Sequence, residues 1–219
     1  MKKQNKYKSY NLTIMGTLEL IIGPMFSGKT SAVIERYNEL KASNDQIDKS
    51  DNLLKHNILA INYDKDTRYG TNKIISHDGA EIDCLSINEL DDINISKITR
   101  DSLNIATHIL INEAQFFKNL KSWVIFQIDY KKKHVVLCGL DSDFKREKFG
   151  ELLDLIPHAN IITKLSGKCS GKDGQCKMPS IFTHRLSSEV EQEVIGNSNY
   201  VPLCRECYCE INPDELIAY

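Results

Sequence analysis

The chain has 219 residues, 41% hydrophobic and 26% charged, enough for one α/β domain with a small satellite. Its formal net charge of −2 gives no electrostatic reason to expect a nucleic-acid partner. No apolar run approaches the roughly 18 residues that span a bilayer, so no membrane partner is expected.

Residues 1–15 read as a flexible N-terminal tail. They are polar, with Lys2, Lys3, Lys6 and Lys8, and lack the apolar core of a signal peptide, so a cytoplasmic location is expected. The apolar run Leu18-Glu19-Leu20-Ile21-Ile22 then reads as a buried strand. It leads into Gly23-Pro24-Met25-Phe26-Ser27-Gly28-Lys29-Thr30, followed by the helix-like Ser31-Ala32-Val33-Ile34-Glu35-Arg36. A glycine-bracketed turn between strand and helix is an anion cradle: backbone N–H groups converge on phosphate oxygens and the helix dipole favours negative charge. In this pattern Lys29 reaches the β- and γ-phosphates and the Thr30 hydroxyl binds Mg²⁺, so a bound nucleoside triphosphate is expected.

Residues 43–55 are polar and read as a surface loop insertion. Further strands are expected at Asn57–Tyr63, Ala106–Ile111 and His134–Leu140, with a helix-length stretch from Leu120 to Tyr130. Short buried strands alternating with helices imply parallel βαβ units, and ligands bind where such strands end. The third strand ends at Asn112-Glu113. Nucleotide enzymes of this type hold Mg²⁺ through an aspartate there; Asn112 offers only a neutral oxygen, while Glu113 can act as general base on an acceptor hydroxyl. Phe116, Phe117, Phe144 and Phe149 fall beside strand-end polar motifs, which favours an aromatic-walled pocket over simple core packing.

Beyond Leu165 the long apolar runs stop, and Gly, Ser, Cys and Pro increase. Of seven cysteines, Cys169, Cys176, Cys204, Cys207 and Cys209 crowd this last third. In a reducing compartment such clustering points to a metal rather than to disulfides. Cys204-x-x-Cys207 has zinc-ribbon spacing. Cys84 and Cys138 are most simply buried thiols.

Taken together, these segments resemble the type II thymidine kinases, the cellular and poxvirus type. The resemblance rests on Gly23 to Thr30, with its unusual Pro-Met-Phe; on Lys65-Asp66-Thr67-Arg68-Tyr69 and His77-Asp78; and on Glu113-Ala114-Gln115-Phe116-Phe117. It continues through Leu140-Asp141-Ser142-Asp143-Phe144, Phe149-Gly150, Val194-Ile195-Gly196, Tyr200 and Cys204-Arg205-Glu206-Cys207-Tyr208. It implies a P-loop-type parallel sheet flanked by helices over residues 16–164. A small zinc-ribbon-like lobe over 165–219 then carries a loop that closes on the nucleoside.

The implied reaction is transfer of the ATP γ-phosphate to the 5′-hydroxyl of thymidine, and of deoxyuridine. Glu113 matches the catalytic base. Gly23, Pro24, Met25, Phe26, Ser27, Gly28, Lys29, Thr30, Asp66, Arg68, Asn112 and Gln115 match the nucleotide side. Met25, Phe26, Phe116, Leu140, Phe144, Phe149, Thr183 and Tyr200 match the nucleoside pocket, and the backbone of Gln192, Glu193, Val194, Ile195 and Gly196 would read the base edge. The first cysteine pair of the family corresponds here to Cys169 and Cys176, held further apart. Gly171 and Gly174 would let that loop bend so that Cys169, Cys176, Cys204 and Cys207 share one structural zinc; Cys209 is the rival fourth ligand. A homotetramer and feedback inhibition by thymidine triphosphate are further implications.

Asn112 departs from the aspartate usual before the catalytic glutamate. It either orients a metal-bound water, or leaves Asp66 to supply the charge, or marks an impaired enzyme. The intact Glu113, Lys29, Thr30 and Arg68 favour an active kinase with altered metal preference. Two other functions compete: an ATP-binding zinc-ribbon protein acting on nucleic acid, and a nonenzymatic nucleotide sensor. Net charge and the lack of a basic, aromatic-interleaved stripe speak against the first.

Overall fold

A computed structural model of the chain describes residues 15–46, 55–64, 72–192 and 198–213. Its centre is a six-stranded sheet in the order β5-β2-β6-β7-β1-β8, parallel at every pairing. The strands are β1 (Thr17–Gly23), β2 (Ile58–Tyr63), β5 (Leu85–Ile87), β6 (His108–Ile111), β7 (His134–Leu140) and β8 (Ile161–Lys164). β1 and β7, near the middle, are apolar on both faces because both faces are covered.

One face carries α1 (Lys29–Gln46) and a small antiparallel hairpin of β3 (Lys73–Ile75) and β4 (Glu81–Asp83). Val33, Ile34 and Leu40 of α1 and Ile74 and Ile82 of the hairpin pack there against Ile21, Leu110 and Val136. The other face carries α2 (Lys97–Ile105), α3 (Leu120–Ile125) and a 3₁₀ segment, Leu152–His158. Leu103, Leu120, Val124, Leu152 and Leu155 close over Leu20, Ile61, Ile109 and Leu137. α2 has both ends capped. Ser96 accepts from Thr99 N–H at 3.1 Å, and Lys133 Nζ donates to the carbonyls of Leu103 and Ala106 at 2.7 and 2.5 Å.

The expected strands at β1, β2, β6 and β7 are present, as is the helix from Leu120, which widens to i→i+5 hydrogen bonding over Phe126–Tyr130. The expected loop at 43–55 begins later than the sequence suggested, because α1 continues to Gln46. Asn44 explains the extension: its side chain accepts from His56 N–H at 2.6 Å and donates to the His56 carbonyl at 2.8 Å, clamping the last turn to the strand entry. Residues 47–54 of that segment, and most of the N-terminal tail, lie outside the described residues.

The cysteine lobe is built from β9 (Gly167–Lys168), β10 (Pro179–Ser180), β11 (Phe182–Arg185), β12 (Tyr200–Leu203) and α4 (Arg205–Ile211). β9 pairs with β10 and β11 with β12, both antiparallel. The carboxyl ends of β1, β2, β6 and β7 put the phosphate loop, Asn62, Asn112-Glu113 and Asp141 along one edge of the sheet, beside this lobe.

Candidate active site

The loop from Gly23 to Lys29 is held by its own backbone. Ser27 Oγ donates to the Pro24 carbonyl at 2.8 Å and Lys29 Nζ donates to the same oxygen at 2.7 Å. Gly28 has φ +81°, a conformation natural to glycine. Phe26 adopts φ +61° without that freedom, so the turn holds backbone strain at the point where its ring stands exposed. At Gly23 a side chain would meet the Leu165 carbonyl at 2.6 Å. The lobe presses on the loop from the other side: Thr183 Oγ1 accepts from Met25 N–H at 3.0 Å, and at Gly167 a Cβ would lie 2.6 Å from the Phe26 carbonyl.

β6 delivers Asn112 and Glu113. Asn112 is buried, and its Nδ2 donates to Asn62 Oδ1 at the end of β2, 2.9 Å away. Glu113 has φ +53° and ψ +39°, a left-handed conformation that costs a non-glycine residue free energy. Gln115 holds it in place. Its Nε2 donates to Glu113 Oε2 at 2.7 Å, while its Oε1 accepts from Leu140 N–H at 3.0 Å. The slot for this buried amide is cut by two glycines: a Cβ at Gly139 would lie 2.4 Å from Gln115 Oε1, and one at Gly150 would lie 2.1 Å from the Gln115 carbonyl. Gln115 is therefore enclosed, with its amide bonded to Glu113 and to the Leu140 N–H. Beside it, Phe116 stacks on Tyr63 with ring centroids 5.0 Å apart and meets Phe149 edge-on at 5.2 Å. Phe117 turns into the main core.

In the lobe, the Sγ atoms of Cys169, Cys176, Cys204 and Cys207 all lie within 4.8 Å of one another, and all four residues are buried. Cys176 and Cys204 Sγ are 3.8 Å apart, matching the edge of about 3.8 Å expected for a tetrahedron of thiolates about 2.3 Å from zinc. The N–H groups of Gly171 and Cys204 donate to Cys169 Sγ at 3.3 and 3.2 Å, the outer-shell support that thiolate ligands need. Gly171 sits directly under the cluster, where a Cβ would meet Cys207 Sγ at 2.4 Å. The loop then turns back through Lys172, Asp173 and Gly174, all at positive φ. Cys209 stands outside this group, half-buried.

A family model described as thymidine kinase matches residues 16–208. A thymidine kinase of rice is 36% identical over 196 residues, 89% of this chain and 67% of the relative. The cytosolic thymidine kinase of chicken is 31% identical over 202 residues, covering 92% and 80%. That of vaccinia virus is 32% identical over 196 residues, covering 89% and 98%. The chain belongs to the thymidine kinase family. Its activity is that of an ATP-dependent phosphotransferase.

The positions that match the nucleoside side of thymidine kinases fall in two groups. Met25, Phe116, Leu140 and Phe149 lie on the loop and strand-end scaffold. Phe144, Thr183, Gln192 and Tyr200 are tied to the lobe. Tyr208 of α4, 1% exposed, donates to the Phe144 carbonyl at 2.7 Å. Asp143 accepts from Lys145 N–H and Glu147 N–H at 2.9 Å each, and its other oxygen takes Gln192 Nε2 at 2.7 Å. Asp66, Arg68, Glu193, Val194, Ile195 and Gly196 lie outside the described residues. Sequence reading missed Asn62, Tyr63, Tyr208 and Arg185. Tyr208 stands in the Cys204–Tyr208 motif but without an assigned role, the other three stand in no motif, and each gains its place only through a partner distant in the chain.

Proposed function

We propose that this thymidine kinase family member phosphorylates the 5′-hydroxyl of thymidine, and of deoxyuridine, with Glu113 as general base. The observation that carries the reading is the strained Glu113 at the end of β6, fixed by Gln115 at 2.7 Å, on the sheet edge that also bears the phosphate loop. A carboxylate oriented from behind can take the proton of an alcohol as it attacks phosphorus. Lys29 and the loop amides hold the triphosphate, and Lys29 Nζ exchanges the Pro24 carbonyl for phosphate oxygen. Asp66 and Arg68 contribute from the segment after β2. The base lies between Phe116, Phe149, Leu140, Met25, Phe26 and Phe144, with Thr183 and Tyr200 behind it and the backbone from Gln192 to Gly196 at its edge.

The donor set suits magnesium, a hard cation that takes oxygen: the Thr30 hydroxyl is the direct protein ligand, and Asn112 adds no charge. Magnesium supplies charge neutralisation on the transferring phosphoryl group. Because the Asn112 amide is committed to Asn62, its role is to orient the strand end. Asn112→Asp should lower the Mg²⁺ concentration for half-maximal rate several-fold; an unchanged Mg²⁺ titration contradicts an altered metal preference caused by the missing charge. Zinc is structural, in the four-cysteine cluster. Family membership also supports a homotetramer, feedback inhibition by thymidine triphosphate and a cytoplasmic location. The test is purified protein with ATP, Mg²⁺ and a panel of nucleosides, scored for monophosphate. Thymidine and deoxyuridine should be the best acceptors; product from other nucleosides alone overturns the proposal.

A further inference from the structure

Arg185 ends β11, opposite Tyr200 in register, and is 4% exposed. A buried guanidinium is costly unless its donors are satisfied. Here each of its five N–H groups has an acceptor. Nε and one Nη2 hydrogen go to the Tyr200 hydroxyl at 3.1 and 2.6 Å. Nη1 donates to the carbonyls of Glu189 and Glu191 at 2.9 and 2.5 Å, and Nη2 donates to that of Gln192 at 3.1 Å. The face of the guanidinium covers the Phe144 ring, with Cζ 3.7 Å from the centroid.

This arrangement joins three segments that are separate in the chain. Residues 189–192 have no regular structure, and Arg185 pins the carbonyls of Glu189, Glu191 and Gln192 that would otherwise face water. Phe144 belongs to the loop after β7, and Tyr200 opens β12. We infer that Arg185 is the positioning residue of the nucleoside pocket: one guanidinium fixes the Phe144 ring, the Tyr200 hydroxyl and the chain at Gln192 in a single geometry. The inference rests on the reading above that these three residues face the nucleoside. Arg185 acts through them and does not touch the reacting atoms. A lysine cannot take over, because it brings three donors on a point charge and no planar face.

The consequence is a split in kinetic constants. A wall that binds ground state and transition state alike shows in KM rather than in kcat. Arg185→Met, which keeps the stem but loses the donors, should raise the thymidine KM by about 10-fold or more, leaving kcat within about threefold and the ATP KM within about twofold. Arg185→Lys should fail to restore the thymidine KM, and it serves as the second variant if the methionine protein does not fold. Zinc content should remain at the wild-type level in whichever variant is assayed. A thymidine KM unchanged in Arg185→Met, or restored by Arg185→Lys, overturns the inference while the proposed reaction stands. A wild-type protein that phosphorylates no nucleoside overturns the proposed reaction and the inference with it.

Discussion

The proposed phosphate side of the site and the proposed nucleoside side are built in different ways. The first is carried by contiguous residues at the tips of parallel strands, with Gly23 to Thr30 after β1 and Asn112-Glu113 after β6. Its geometry comes from a sheet whose core is covered on both faces. The second is assembled from separate segments tied by single side chains: Tyr208 to Phe144, Gln192 to Asp143, Thr183 to Met25 and Arg185 to four carbonyl or hydroxyl acceptors. A scaffold of strand ends keeps its shape without ligand. A pocket held by long-range ties depends on whatever anchors the lobe.

The largest effect tests the strand-end side. Glu113→Gln should lower kcat by about 10² or more with little change in ATP affinity, measured by steady-state kinetics with thymidine. Near-wild-type turnover would remove Glu113 from the role of base. Next, Gly150→Ala puts a Cβ 2.1 Å from the Gln115 carbonyl at a φ of +60°. It should cost about 1–3 kcal/mol in denaturant unfolding and lower kcat as Gln115 shifts Glu113. Unchanged stability and rate would mean the slot is not the constraint described.

The opposite edge of the sheet sharpens the contrast. His108 lies between His56 and His134, with ring centroids 4.6 and 4.7 Å away. Burial pushes its pKa down to about 3, and the His134, His56 and Arg36 charges push the same way. The folded protein therefore binds this proton less readily than the unfolded chain, whose histidine titrates near 6.5. Stability is full above that value and falls as pH drops toward 3. Between pH 7 and pH 5 the loss should be about 2 kcal/mol. Chemical denaturation at the two pH values reads it, and His108→Phe should flatten the dependence. A slope that His108→Phe leaves unchanged assigns the loss elsewhere. Burial likewise pushes the Cys138 thiol up to about 12 and Cys84 up to about 11, so neither is reactive near neutrality.

The legibility of the molecule follows the same division. β1, β2, β6 and β7 are apolar runs ending in polar motifs, and each was readable from its residues alone. The three-residue strands β3, β4 and β5 were not, because so short a run carries no period. β8 was missed because an edge strand pairs on one side only and its four residues stay exposed. In the site, the Gly23 to Thr30 loop and Glu113 were legible locally, and the wide Cys169–Cys176 pair was legible through the resemblance. Gln115 matched the nucleotide side by its place in the motif, yet its amide is spent on Glu113 and Leu140. Arg185 gave no signal and Tyr208 only its place in the cysteine motif, since their partners stand apart from them in the chain and only the folded lobe brings them together.

The dependence of the nucleoside side on its metal anchor tests the account most directly. Cys204→Ser removes one thiolate from the cluster while leaving every residue of the phosphate loop in place. Zinc content, binding of a non-hydrolysable ATP analogue and the thymidine KM should be measured on the same preparation. The expected result is zinc well below one per chain and a thymidine KM raised about 10-fold or more, with analogue affinity within about threefold of wild type. Equal loss of both affinities, or an unchanged thymidine KM in zinc-free protein, would contradict it.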